Sequence, residues 1–331
     1  MLNVALAGLG WWGRTIVGLL ENSARLRVVH AVEPDAAAAA FARQRGIVCS
    51  ADLDGALADP KVKAVVLCTP HSKHAAQVVR AAQAGRHVFC EKPLALTHAD
   101  ARRALAAVEA AGVTLAVGHE RRFEPGILEL RRLIDADEIG RPLQVEANFS
   151  QDKFLAMPAD NWRLTAAEAP AGPLTATGVH LVDLSVAILG QPERAFASVR
   201  QLASHLVNGD TLGALIGFRD GGHALLGAIL ATPFDGRIAV YGSKGWVEVR
   251  DKAHPESPEG WTLTLCRRGA PRESREIAPA SSVLANLEAF ADAALGGPRY
   301  PVPHAEMLAT VSALEAIVRS AASGQVEAIE G

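Results

Sequence analysis

A chain of 331 residues has room for two domains, each able to bury its own core. Its 49% hydrophobic and 21% charged residues are those of a globular protein, and a net charge of −3 leaves no electrostatic footprint for nucleic acid or an anionic membrane. No apolar run approaches the ~18 residues needed to span a bilayer. The four cysteines (Cys49, Cys68, Cys90 and Cys266) form no C-x-x-C pair and read as small buried thiols in a reducing, cytoplasmic setting. A first strand that begins at residue 3 leaves no room for a signal peptide.

Residues 3–7 are short, apolar and bounded by glycine, as a buried parallel strand should be. Gly8, Gly10 and Gly13 then spell G-x-G-x-x-G, residues 14–21 continue as a helix, and a second apolar run over 26–32 ends in Glu33, 20 residues past Gly13. Each element serves dinucleotide binding. Gly8 allows the tight strand-to-helix turn, Gly10 lets backbone approach a pyrophosphate, and Gly13 lets the helix pack on the strand. The helix N-terminus offers N–H groups to the phosphates. Glu33 accepts from the adenosine ribose hydroxyls and repels a 2′-phosphate, so NAD is expected ahead of NADP.

Strand and helix go on alternating to about residue 120. Helices are expected over 35–45, 52–58, 72–84 and 98–111, and strands over 47–48, 63–68, 87–90 and 114–117. That rhythm implies a doubly wound parallel sheet, a Rossmann domain over 1–120, with its crevice at the carboxyl ends of the strands. Polar residues follow the apolar runs there: Thr69-Pro70-His71, Glu91-Lys92-Pro93 and Gly118-His119-Glu120.

Past residue 120 the pattern changes to that of an α+β domain, 121–331. A helix over 121–135 and a strand over 143–149 precede an irregular segment, 150–173, and a helix over 175–189. Strands follow over 195–201, 211–218, 223–230, 237–241, 246–250 and 261–267, with hairpins at 221–222 and 243–245. Helices over 284–295 and 305–323 close the chain. A mostly antiparallel sheet with helices on one face leaves the other face open, which points to a homodimer or homotetramer formed through it.

The motifs GLGWWG at the start, TPHSKH at 69–74, EKP at 91–93, GHERRFEP at 118–125, NWR at 161–163 and GVHLVD at 178–183 occur in this order. Together they resemble the Gfo/Idh/MocA oxidoreductases, related to glucose–fructose oxidoreductase and inositol dehydrogenase, over essentially the whole chain. The resemblance implies that Lys92 contacts the nicotinamide end and the substrate hydroxyl and assists proton transfer. It also implies a cis bond before Pro93, and a substrate-facing His180. It places Thr69, Pro70, His71 and His74 along the cofactor, with His71 where asparagine is usual. Glu91 orients the turn or meets the nicotinamide ribose.

The residues themselves agree in part. A lysine desolvated beside a cofactor is a proton relay, and histidine is an acid–base group near neutrality. Asp183 shares a helix face with His180 and either holds it or lies nearer the domain interface. Of Trp11 and Trp12, one packs against the cofactor or the domain interface and the other belongs to the core. Trp162 belongs to the substrate segment. Arg122 and Arg163 are either bidentate holders of a substrate carboxylate or surface ion pairs. His71 and His74 lack a third ligand, so no metal site is expected.

One position departs from the pattern. Polyol-oxidising relatives carry a carboxylate four residues before the histidine, where this chain has Ala176. The stretch APAGPLTATGVHLVD is more similar to the branch that includes 4,5-dihydroxyphthalate decarboxylase-like and aromatic-dihydrodiol-type members. The leading expectation is hydride transfer between NAD and a hydroxyl-bearing sugar, cyclitol, sugar acid or dihydrodiol. The alternatives are a redox-neutral enzyme that uses NAD, a decarboxylase or lyase on the same scaffold, and a non-catalytic NAD-binding regulator.

Overall fold

The computed structural model describes residues 1–331. The chain divides into two compact units, Met1–Gly118 with Val283–His304, and His119–Ser282 with Ala305–Gly331. The sequence pattern suggests a single cut near residue 120; the structure returns a C-terminal segment to the first unit.

The first unit is built from β1 (Leu2–Ala7), α1 (Trp11–Leu20), β2 (Leu26–Val32), α2 (Ala36–Gln44), β3 (Val48–Ser50) and α3 (Leu53–Ala58). It continues with β4 (Ala64–Leu67), α4 (His74–Gln83), β5 (His87–Cys90), α5 (His98–Ala111) and β6 (Leu115–Val117). The strands are all parallel, in the order β3-β2-β1-β4-β5-β6. The order reverses between β1 and β4, and at such a switch point the strand ends open a ligand crevice.

Local chemistry sets the helix boundaries. Asp35 accepts from the Ala38 N–H at 2.7 Å to start α2, Asp52 from Gly55 to start α3, and Thr97 from Asp100 to start α5. Gly112, at φ +63°, ends α5 in the left-handed conformation. In α1 the buried residues Gly13, Ile16, Val17 and Leu20 follow helical spacing and face the sheet.

The returning segment carries a helix, Ser282–Ala294, which buries Leu287, Phe290 and Ala291 against Leu2, Ile16, Leu20 and Phe89. Phe290 meets Phe89 edge-on at 5.8 Å. Asn286 Nδ2 donates to the Val117 carbonyl at 3.0 Å, at the edge strand β6, and the Tyr300 hydroxyl donates to Asn286 Oδ1 at 2.6 Å. Removing the Phe290 ring costs roughly 3–5 kcal/mol of the first unit's stability. Sequence reading recognises this helix but has no rule for which core receives it.

The second unit begins with a 3₁₀ turn, Glu120–Phe123, followed by α6 (Pro125–Asp135) and β7 (Pro142–Ser150). Pro125 begins α6, so the helix expected over 121–135 is broken near its start. A π-helical turn, Leu174–Gly178, leads into α7 (Val179–Leu189). Then come β8 (Pro192–Arg200), β9 (Thr211–Phe218), β10 (His223–Ile229), β11 (Asp235–Gly242), β12 (Gly245–Asp251), β13 (Trp261–Arg267) and β14 (Glu273–Ile277). With the Ser282–Ala294 helix as α8, the unit closes on α9 (His304–Ser323) and β15 (Glu327–Ala328).

The nine strands form one sheet, β14-β13-β12-β11-β7-β10-β9-β8-β15, antiparallel except where β7 meets β10. The edge strands β14 and β15 escape sequence reading, because ESREI is almost wholly exposed and EA is two residues long. One face of the sheet holds the core. Leu130 and Leu133 of α6, Val179 and Leu181 of α7, and Leu314 and Ile317 of α9 pack there on Val145, Leu226, Val240 and Leu263. The opposite face shows an apolar row across three neighbouring strands, Phe196, Leu215 and Leu225, paired in register and each more than 40% exposed.

Candidate functional site

In the first unit the site is mostly backbone. Gly8 sits at φ +94°, and a Cβ there would lie 2.7 Å from the Cys68 carbonyl oxygen. A Cβ on Gly13 would collide with the Gly8 carbonyl, so this glycine is what lets α1 close on the turn. Gly10, the N-cap of α1, has open space where a Cβ would stand, so nothing in the protein itself requires glycine there. A ligand approaching the backbone would.

Around that turn Leu9, Gly10, Trp11, Arg14, Thr15 and Glu33 line an open depression. The Glu33 carboxylate is held in place, with Oε2 accepting from the Leu9 N–H at 2.7 Å and Oε1 from the Asp35 N–H at 3.0 Å. Arg14 Nε donates to the Leu9 carbonyl at 2.8 Å, and its guanidinium lies 5.3 Å from the Phe41 ring centre. Of the paired tryptophans, Trp11 is half exposed beside the turn, while Trp12 packs into the first unit's core with its Nε1 buried and unpaired.

The turns after β4 and β5 are joined by one histidine. His74 is fully buried, with Nδ1 2.7 Å from the Pro93 carbonyl and Nε2 2.9 Å from the Thr69 carbonyl. The resemblance puts His74 along the cofactor; in the structure both its nitrogens face backbone carbonyls. A neutral ring has one N–H, so both contacts are donations only when the imidazole is protonated. His71 is buried edge-on to His74 at 5.8 Å, in a 3₁₀ turn His71–Lys73.

Lys92 follows β5 and precedes Pro93 across a cis bond. Its backbone N–H donates to Glu91 Oε2 at 3.3 Å, and the buried Glu91 carboxylate fills the space where Gly118 has no side chain. Burial pushes the neighbouring Cys90 thiol well up, with Glu91 adding to it, which makes Cys90 an inert thiol.

In the second unit the site is made of side chains. His180 and Asp183 are both buried on α7. Asp183 accepts its hydrogen bonds from Arg122 rather than from its own helix. Arg122 grips it with two hydrogen bonds, Nε to Oδ2 at 2.6 Å and Nη2 to Oδ1 at 2.7 Å, and turns its Nη1 to Glu306. Arg122 and Asp183 are thus each other's partners. Desolvation works against the Arg122 charge, but Asp183 and Glu306 outweigh it and hold the guanidinium protonated.

The second arginine of the pair is likewise internal. Arg121 binds Glu124 through Nε and Nη2 at 3.1 Å and Asp251 through Nη2 at 2.6 Å, and Trp261 Nε1 donates to Asp251 at 2.7 Å. One guanidinium faces two carboxylates, and burial, helped by Asp251 and opposed by Arg121, pushes Glu124 up to about 7. The Arg121 guanidinium also lies 4.9 Å from the Phe149 ring centre.

Phe149 connects this network to His180, at 6.0 Å, and to Phe234 and His254, at 6.1 and 5.8 Å. His254 accepts from the Glu256 N–H through Nδ1 at 3.2 Å and donates through Nε2 to Gln151 Oε1 at 2.6 Å. Burial, with Lys153 and Arg121 nearby, drives it down to about 3. It is a locked neutral ring. Sequence reading marked His119 and Glu120 as polar residues at a strand end without giving either a role, and it missed Arg121, Gln151 and His254; of these three only Arg121 lies in a motif, GHERRFEP.

Trp162 and Arg163 lie in a 3₁₀ turn, Trp162–Leu164, capped by Asn161, whose side chain accepts from the Arg163 N–H at 3.0 Å. The Arg163 guanidinium rests 4.2 Å from the Trp162 ring centre. Asn208 Nδ2 donates to the Arg163 and Ala169 carbonyls at 3.0 Å, which ties the irregular segment to the loop before β9.

A parallel sheet with a glycine turn and an acidic β2 end, followed by an α+β unit with a buried histidine, defines a dinucleotide-binding oxidoreductase. Residues 2–119 match the oxidoreductase family with an NAD-binding Rossmann fold, and residues 127–248 match the GFO/IDH/MocA C-terminal domain. The chain belongs to the GFO/IDH/MocA oxidoreductases. It is 31% identical to the 1,5-anhydro-D-fructose reductase of Ensifer adhaerens over 297 residues, 88% of this chain and 87% of that one. Among solved structures, GenD2 from gentamicin A biosynthesis, in complex with NAD, superposes with a TM-score of 0.85 at 28% identity, covering 100% of this chain and 97% of that one. An oxidoreductase from Desulfitobacterium hafniense, described as NADPH-dependent, superposes at 0.89 with 26% identity, covering 99% and 97%.

Proposed function

We propose that this oxidoreductase is an NAD-dependent dehydrogenase that interconverts a hydroxyl and a carbonyl on a neutral sugar or cyclitol. The observation that carries the reading is Lys92. It stands at the carboxyl end of β5, in a turn that His74 and Glu91 hold from either side. A bound nicotinamide would supply the hydride acceptor or donor. Gly10 and the N-terminus of α1 hold the pyrophosphate, Glu33 the adenosine ribose, and the residues at 69–71 flank the cofactor. Lys92 Nζ takes or gives the hydroxyl proton, and His180 assists from the substrate side. His254, neutral and bonded at both nitrogens, moves no proton.

Two features support the cofactor and substrate choices. Glu33, pinned by two backbone N–H groups with Asp35 beside it, sets negative charge where a 2′-phosphate would stand, and Arg14 is turned to the Leu9 carbonyl. With Arg122 spent on Asp183 and Glu306, and Arg163 resting on Trp162, the argument for an acidic substrate weakens. The relative that acts on a sugar derivative, by its name, supports the same class.

The exposed row Phe196, Leu215 and Leu225 fits a homodimer or homotetramer built on the outer sheet face. No helix is long and apolar enough to cross a membrane, and all four cysteines are free, which fits a cytoplasmic enzyme.

The test is absorbance at 340 nm with NAD, then NADP, over a panel of sugars, cyclitols, sugar acids and aromatic dihydrodiols. Reduction of NAD by a neutral sugar or cyclitol, itself oxidised to the carbonyl, is expected; a signal only with NADP, or only with acids, contradicts the reading. Ala176, where polyol-oxidising relatives carry a carboxylate, favours a second reading, a redox-neutral enzyme that keeps its NAD. That reading requires protein that purifies with cofactor bound and shows no net change at 340 nm.

A further inference from the structure

The carboxylate that His180 meets is not on its own helix. Asp183, one turn along α7, is gripped by Arg122 at 2.6 and 2.7 Å, and beyond that pair it has His119 Nε2 at 3.7 Å. The preceding turn brings no charge either, since Ala176 packs against the apolar cluster of Phe154, Leu164, Leu206 and Leu230. Instead, Glu120 Oε1 lies 3.6 Å from His180 Nε2, and both side chains are largely buried, at 13% and 3% exposure. Glu120 begins the 3₁₀ turn that opens the second unit, 60 residues before its partner in the chain.

Other side chains also stand around the imidazole. The His119 ring stands edge-on at 6.3 Å and 86°, and Phe149 lies at 6.0 Å. The Arg121 guanidinium, behind Phe149, is matched by Glu124 and Asp251. Arg122 is matched by Asp183 and Glu306. His254, on the far side of Phe149, carries no charge near neutrality. A carboxylate within about 4–6 Å of a poorly solvated imidazole favours the imidazolium and fixes which nitrogen bears the proton.

We propose that Glu120 is the positioning carboxylate of His180, which holds the ring in place and favours its protonated form during the hydroxyl–carbonyl interconversion. The proposal rests on the reading of His180 as the substrate-side histidine. It accounts for how the site works with alanine at 176: the negative charge comes from another part of the chain.

The test is a histidine Cε1–H NMR titration of the full-length, substrate-free enzyme, with His180→Gln to assign the resonance. In Glu120→Gln the midpoint of His180 should fall by about one pH unit, a roughly tenfold loss of proton affinity. Glu120→Asp, which keeps the charge, should retain most of the native value and serves if the glutamine variant folds poorly. The limb of the kcat/KM–pH profile that reports His180 should move by the same amount while NADH affinity stays unchanged. A midpoint that does not move in either variant overturns the pairing. A midpoint that falls while the rate profile stays fixed upholds the pairing and removes His180 from the reaction, so failure of the functional reading is told apart from failure of this one.

Discussion

The two units carry their functional groups in opposite ways. In the first, the chemistry is held by backbone: Gly8 at φ +94°, Gly13 under the Gly8 carbonyl, Glu33 fastened by two N–H groups, and the Lys92 turn tied to the Thr69 turn through His74. In the second it is held by side chains that reach across long sequence gaps. Arg121 reaches Asp251, Arg122 reaches Asp183 and Glu306, and Glu120 reaches His180. A backbone site demands particular residues at fixed spacing, whereas a side-chain site demands only that charges match after folding.

That contrast can be tested at the side chains first. Arg122→Gln leaves Asp183 buried, at 1% exposure, without its cation and should cost roughly 3–5 kcal/mol, read as a fall in the urea midpoint. If Arg122 held a substrate anion instead, the variant would keep its stability and raise KM alone.

The pH dependence of stability probes the Arg121 network. Burial holds Glu124 at about 7, above the ordinary glutamate value of 4.5, so the folded state binds this proton more tightly than the unfolded chain. The stabilisation is full below about pH 4.5 and is lost as pH rises through about 7. Wild-type protein should therefore be less stable at pH 8 than at pH 5, by an amount on the order of 1–3 kcal/mol from this group. Glu124→Gln, which is neutral throughout, should remove most of that difference. An unchanged difference would show that Glu124 is ionised across the range.

The smallest effect expected is at the His74 clamp in the first unit. His74→Ala loses its contacts to two backbone carbonyls, of which a neutral ring donates to one at a time, a hydrogen bond worth about 1 kcal/mol. It should lower Tm and weaken NADH binding by roughly tenfold as the Thr69 and Lys92 turns loosen. Weaker binding with an unchanged Tm would mean that His74 touches the cofactor directly.

The same contrast explains what was legible in the sequence. The β1 turn, Glu33 and the alternating strands and helices to residue 120 follow from local rules, because each glycine and cap acts within a few residues of itself. So do most strands of the second sheet, since one buried face enforces alternation. The edge strand β14 does not, because exposed charged residues on both faces leave no pattern. The return of α8 to the first core is invisible for another reason: amphipathic spacing shows that a face is buried but not against what. Arg122 was weighed as an anion holder by its type and Asp183 by the helix face it shares with His180; nothing in their spacing shows that they bind each other across 61 residues. His254 has no motif at all, and its neutral state comes from burial and two partners.

The central claim is that Lys92 handles the substrate proton while the glycine turn holds the dinucleotide. The most direct test is to measure NADH binding and the 340 nm rate on the same preparations of wild type and Lys92→Ala. The account predicts binding within a few-fold of wild type and a rate lower by about 10²–10⁴. A variant that turns over at the wild-type rate would contradict it.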